Sequence, residues 1–122
     1  MSIGVTMSGN IAYLDSLGIT DSLAIDDILA TLATYKKMKH IQSIGTSEEA
    51  IVLGECTSPG WAIFVNVDPT NFIELRVATG GAKFAKLLPG EFALLRLGSG
   101  AQAPFAIADT AACLMHYFLV QT

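Results

Sequence analysis

After residue 40, apolar and polar residues alternate in short runs separated by turn signals. Lys39–Ile44 reads as a strand, Gly45-Thr46-Ser47-Glu48-Glu49 as a polar connection, and Ala50–Leu53 as a second strand. Pro59 and Gly60 close the turn Thr57-Ser58-Pro59-Gly60, because Pro and Gly suit a tight reversal. Trp61–Val67 follows, then the turn Asp68-Pro69-Thr70-Asn71, then Phe72–Val77. In that strand Ile73, Leu75 and Val77 share one face, and Glu74 and Arg76 the other. Phe84–Leu88 and Glu91–Leu97 flank Pro89-Gly90 and read as a hairpin, since Pro presets φ and Gly accepts the positive φ of a type II turn. Gly98–Ala103 is a small-residue loop, and Phe105–Ala108 and Ala112–Val120 are the last strands. Strand signals recurring about every ten residues predict an all-β protein, an antiparallel β-sandwich of jelly-roll-like form or a barrel.

The final strand is apolar on both sides. Leu114, His116, Phe118 and Val120 share one face, and Met115, Tyr117 and Leu119 the other. Such a strand is expected at a central position or beneath a partner. Trp61, Phe64, Phe72, Leu75, Phe92, Leu94, Leu114 and Tyr117 are the expected core and packing residues. The later aromatics, Phe84, Phe105 and Phe118 among them, fall about once per strand, which suits a core better than a sugar-stacking platform.

Residues 1–39 differ in texture. Gly, Ser, Thr and Asp dominate, and Gly4, Gly9 and Gly18 punctuate the segment. No apolar period is sustained before about residue 22, as in an arm that depends on a partner. Over residues 22–35, Ile25, Ile28, Leu29 and Leu32 keep helical spacing, and Asp21 or Ser22 could cap it. Thr31, Thr34 and Tyr35 favour a strand. The balance leans to a short helix within an extended arm, ahead of a β-sandwich domain over 40–122.

Hydrophobic residues make up 52% of the 122 positions and charged ones 15%, against about 25% charged in ordinary domains. A chain this short forms one domain with a large surface for its volume. With few charges to cover it, some apolar surface is expected to meet another protein or another copy. The net charge is −4, and the only cationic cluster is Lys36, Lys37 and Lys39 beside His40. That reads as a solvated face, so no nucleic-acid partner is expected. Met1–Thr6 lacks a basic start and apolar core, and no apolar run reaches the roughly 20 residues of a membrane span. A protein made in the cytoplasm, without a membrane partner, is the expectation.

The usual catalytic constellations are missing. His40 and His116 stand in no HxH or HxxxH spacing, and no metal or cofactor site is expected. Cys56 and Cys113 could form one disulfide, but neither belongs to a CxxC pair. Cys113 and His116 are three apart on a strand and face opposite ways. Asp26-Asp27 and Glu48-Glu49 are adjacent pairs, which diverge on a strand. Gly98-Ser99-Gly100 lacks the Lys and Thr of a phosphate loop. No catalytic residue is expected.

His40–Ala50 with Gly54, Pro59–Glu74, Leu88–Leu97 and Ala106–Tyr117 together resemble small virion structural proteins of tailed bacteriophages. The resemblance spans about two-thirds of the chain and lies in its strands and turns. It implies an oligomeric β-sandwich without catalytic residues: a capsid decoration (cement) protein, trimeric, bound to the major capsid protein. It equally accommodates a tail, baseplate or head-fibre module, including a glycan-binding one.

Overall fold

A computed structural model describes residues 4–14, 16–31, 36–98 and 104–121. Their regular structure is entirely β: ten strands in three antiparallel sheets, with no helix among the described residues. The chain divides into two units, Met1–Ala33 and Thr34–Thr122.

The first unit is a hairpin of β1 (Gly4–Leu14) and β2 (Thr20–Thr31). Gly18 turns it with φ +80°. The register pairs Ile11 with Leu23, Tyr13 with Asp21 and Gly9 with Ile25, so these share one face. A bulge lies between Met7 and Gly9. The short helix expected over 22–35 is therefore replaced by strand as far as Thr31, while residues 32–35 lie outside the described residues. The physical reason is pairing. Antiparallel β1 hydrogen-bonds β2 along its whole length, which helical spacing within one segment cannot foresee.

The second unit holds the other eight strands. They are β3 (Lys37–Ile44), β4 (Glu49–Ala50), β5 (Pro59–Asn66), β6 (Ile73–Arg76), β7 (Lys83–Leu87), β8 (Phe92–Arg96), β9 (Phe105–Ala108) and β10 (Cys113–Gln121). One sheet has the order β3-β10-β5-β8 and the other β4-β9-β6-β7. Inward residues of both contribute to one buried cluster. Ile44, Phe64, Met115, Tyr117 and Leu119 come from the first sheet, and Ile73, Leu75, Leu87, Ala106 and Ala108 from the second. The period of two shows directly in β5, where Ala62, Phe64 and Asn66 are buried and Trp61, Ile63 and Val65 half-buried. Emptying the Phe64 position to Ala would cost about 3–5 kcal/mol.

Three expectations are corrected here. Phe84–Leu88 and Glu91–Leu97 do not form a hairpin. β7 pairs with β6 in one sheet and β8 pairs with β5 in the other. Pro89-Gly90 is a turn, with Gly90 at φ +82° and Glu91 N donating to Leu88 O at 2.9 Å. A tight turn reverses the chain locally but does not choose which strands pair. Pro59 and Gly60 are not in a turn: they open β5, Pro standing at the first strand position where its missing N–H is tolerated. The strand expected over Ala50–Leu53 is only the two-residue β4, and Ile51 continues by donating to Pro104 O at 3.4 Å.

The sheet-to-sheet crossing is tied by Asn66, which is fully buried. Its Nδ2 donates to Leu87 O and Asn71 O, both at 2.9 Å, and its Oδ1 accepts from Asp68 N at 2.9 Å. Its backbone N donates to Glu91 O, and its carbonyl accepts from Gly90 N. Asn66→Ala leaves three partners unanswered, Leu87 O buried and Asn71 O and Asp68 N partly so, so we expect about 2–4 kcal/mol lost in urea unfolding. A loss below about 0.5 kcal/mol would mean water replaces the amide.

Candidate functional site

Two apolar surfaces stand out. The first is the outer face of the β3-β10-β5-β8 sheet. Residues of outward parity line up in rows across the strands: Lys37, Val120, Trp61 and Arg96; then Lys39, Phe118, Ile63 and Leu94; then Ile41, His116, Val65 and Phe92; and finally Ser43 with Leu114; of these Val120 is buried. Ile41, Phe92, Leu94 and Leu114 are between 41% and 63% exposed. Ile63, Val65, His116 and Phe118 are half-buried. This face is apolar in its middle rows and cationic at one end.

The second surface is the hairpin. Ile11, Tyr13, Leu14, Leu17, Ile19, Leu23 and Ile25 are each between 44% and 82% exposed. A two-stranded ribbon alone is marginally stable in water, because it has no second layer to bury its side chains against. The hairpin also carries a shallow hollow of about 520 Å³ lined by Asn10, Tyr13, Leu14, Thr20 and Asp21.

The expected core and packing residues divide. Phe64, Leu75 and Tyr117 are buried, and Trp61 and Phe72 are half-buried. Phe92, Leu94 and Leu114 are corrected to the exposed outer face, because strand parity and register turn them away from the other sheet. Ile11, Leu23, Ile41, Ile63 and Val65 were not singled out from the sequence. The signal was available in β3, where Ile41 is out of phase with Gln42 and Ile44.

The polar groups of the interior serve the fold. Tyr117 OH donates to Val52 O at 2.6 Å, while Gln42 Nε2 donates to Glu49 Oε1 at 2.9 Å and Ala50 O at 3.1 Å. Gln42 Oε1 accepts from Val52 N at 2.9 Å. Together they satisfy the irregular segment after β4. Glu48 accepts from Arg76 Nη1 at 3.0 Å and Gly80 N at 2.8 Å. Neither member of the Glu48-Glu49 pair faces an open site, and the side chains of Asp26 and Asp27 lie outside the described residues. His40 packs edge-on against Tyr117, with ring centroids 6.0 Å apart. The Trp61 indole N–H is buried without an acceptor. Among the described residues, no three His, Cys, Asp or Glu side chains are grouped to hold a metal ion. No described helix is long and apolar enough to cross a membrane.

Cys56 and Cys113 are both free and buried. Burial raises both thiols above their ordinary 9.0, aided by Glu55 at Cys56 and by Asp68 and Asp109 at Cys113. Burial likewise raises the Tyr117 phenol above 10.0. A raised thiol is a poor nucleophile at neutral pH.

No protein-family model, no curated protein and no solved structure matches the chain.

All three groups hold their protons more tightly when folded. Unfolded chains ionise first, so stability is complete below pH 9 and falls as pH rises through 9 and then 10. Urea titrations from pH 7 to 11 should show this decline, shallower in Tyr117→Phe; a flat profile would contradict the burial of these groups.

Proposed function

We propose that this chain is a structural protein of a bacteriophage particle, acting by packing against other proteins and not by catalysis. The observation that carries the reading is the hairpin, a two-stranded ribbon that leaves Ile11, Tyr13, Leu14, Leu23 and Ile25 exposed. A segment of this kind gains its stability from a partner, as a gripping arm does. The favoured role is capsid decoration: the hairpin grips the major capsid protein, the second unit associates with other copies, and the protein resides in the virion.

The second unit reads as a jelly-roll β-sandwich. Numbered within the unit, its strands run first-eighth-third-sixth in one sheet and second-seventh-fourth-fifth in the other. That order is what two interlocked Greek keys produce, an architecture used by capsid and lectin domains. Fold alone does not assign function, so this supports the reading only as analogy. The lectin analogy and exposed Phe92 beside Glu91 favour a second reading, a glycan-binding tail or head-fibre module.

Counting copies in purified particles separates the two. A number comparable to the major capsid protein supports decoration, and far fewer copies with a glycan-array signal support the tail reading. Ile11→Asp with Leu23→Asp should reduce binding to undecorated particles by at least ~tenfold while the urea midpoint of the second unit stays put. Full binding by that variant would remove the hairpin from the grip.

A further inference from the structure

We infer that two copies of this chain join edge to edge along β8, antiparallel, so that their β3-β10-β5-β8 sheets run on into one. This deepens the self-association proposed for the second unit and rests on that reading for its setting, while the pairing is argued from β8 alone.

Backbone hydrogen bonds identify the open edge. β8 ends the order β3-β10-β5-β8 and pairs with β5. Asn66 N donates to Glu91 O, and Leu97 N donates to Gly60 O. In an antiparallel ladder, alternate residues turn both N–H and C=O to the same neighbour. Glu91, Ala93, Leu95 and Leu97 therefore face β5, and the backbone groups of Phe92 and Leu94 point out of the edge. The side chains of these two residues are exposed on the outer face.

Outward N–H and C=O groups are met by extended backbone, and a second β8 supplies it. With a two-fold axis perpendicular to the sheet at Ala93, Phe92 lies opposite Leu94 of the second copy. Opposed residues of this parity exchange both of their N–H···O=C bonds. Every outward backbone group of Phe92 and Leu94 is then engaged in both copies. On the outer face each Phe92 packs against the other copy's Leu94, an aromatic–aliphatic cross-strand pair on either side of the axis. Ala93 meets Ala93 at the axis, where the strands come closest and a small side chain fits. Arg96 falls opposite Gly90, so no like charges are brought together.

The other edges of the second unit are defended. β3 sets Lys37 and Lys39 on its open side, β7 carries Lys83 and Lys86, and β4 has only two residues. Lysines and shortness are the usual protection against strand addition. β8 is Phe-Ala-Leu-Leu-Arg, with its one charge at the far end. A two-fold contact closes on itself, which gives a pair where the resemblance implies a trimer. Two short strands bury less than the ~1,200 Å² of stable interfaces, so the pair forms reversibly.

The test is amide hydrogen exchange of the full chain, purified alone, across a concentration series, with sedimentation velocity reading the mass. Ala93 and Leu95 amides bond β5 and should be protected at every concentration. Phe92 and Leu94 amides should exchange freely when dilute and gain at least ~tenfold protection as a dimer forms. Phe92→Pro deletes an outward N–H at the first strand position, where Pro is tolerated. Leu94→Lys sets a charge on the edge. Each should raise the dissociation constant at least ~tenfold while Ala93 and Leu95 stay protected. A persistent monomer overturns the pairing, as does a dimer whose Phe92 and Leu94 amides stay open. Protection shared with Lys39 and Ile41 would place β8 on β3 in a ring, and protection that needs added capsid protein would place a foreign strand there; either overturns it too. Copy counting judges the structural role separately. A monomer abundant in particles would leave that role standing and the pairing refuted, and a β8 dimer missing from particles would do the reverse.

Discussion

Asn66 sits where a buried amide has to meet all of its hydrogen-bonding demand within the chain. It closes β5 in one sheet, and its side chain reaches Leu87 at the end of β7 in the other. The Asp68–Asn71 turn folds over it through Asp68 N and Asn71 O. The Pro89-Gly90 crossing is pinned to its backbone on both sides. Without this clamp, β7 and β8 have no evident reason to part company, because a Pro-Gly turn between two apolar runs suits an ordinary hairpin equally well. The separation of β7 from β8 is what completes two four-stranded sheets with a shared interior.

Once the two sheets exist, strand parity divides the molecule. Phe64, Met115 and Tyr117 are turned to the other sheet, and Ile63, His116 and Phe118 are turned away from it. The chain does not make the outward set polar, as a sheet facing water usually would. The low charge noted in the composition is thus localised. It belongs to one sheet face and to the hairpin, while the ion pairs among Glu48, Glu74, Arg76 and Lys83 gather on the other sheet. Among the described residues, apolar surface is left in two defined places, the outer sheet face and the hairpin. Gln42, Tyr117 and Asn66 in the interior are engaged by the backbone.

Charge is distributed unevenly along the chain. Residues 1–33 contain Asp15, Asp21, Asp26 and Asp27 and no cation, so the whole net charge of −4 comes from this stretch. The cations all follow residue 35, and three of them mark one end of the outer face. Polarised charge of this kind governs orientation and partner choice more than affinity.

The sequence by itself determined that the second unit is β, where most of its strands run, and that β10 is apolar on both sides. These follow from alternation and from turn residues, which act over a few neighbours. Phe105–Ala108 is the same in the sequence reading and in β9, and Gly90 takes the positive φ that its turn requires. Only the tertiary structure decided pairing. It set β7 and β8 in different sheets, extended β2 through a stretch with helical spacing, and drew Pro59 and Gly60 into β5. It also turned Phe92, Leu94 and Leu114 outward, which hydrophobicity alone could not reveal. The physical reason is common to all of these. A strand's hydrogen-bond partners and the side of the sheet that becomes interior are settled by residues far away in the chain, and no local pattern carries that information.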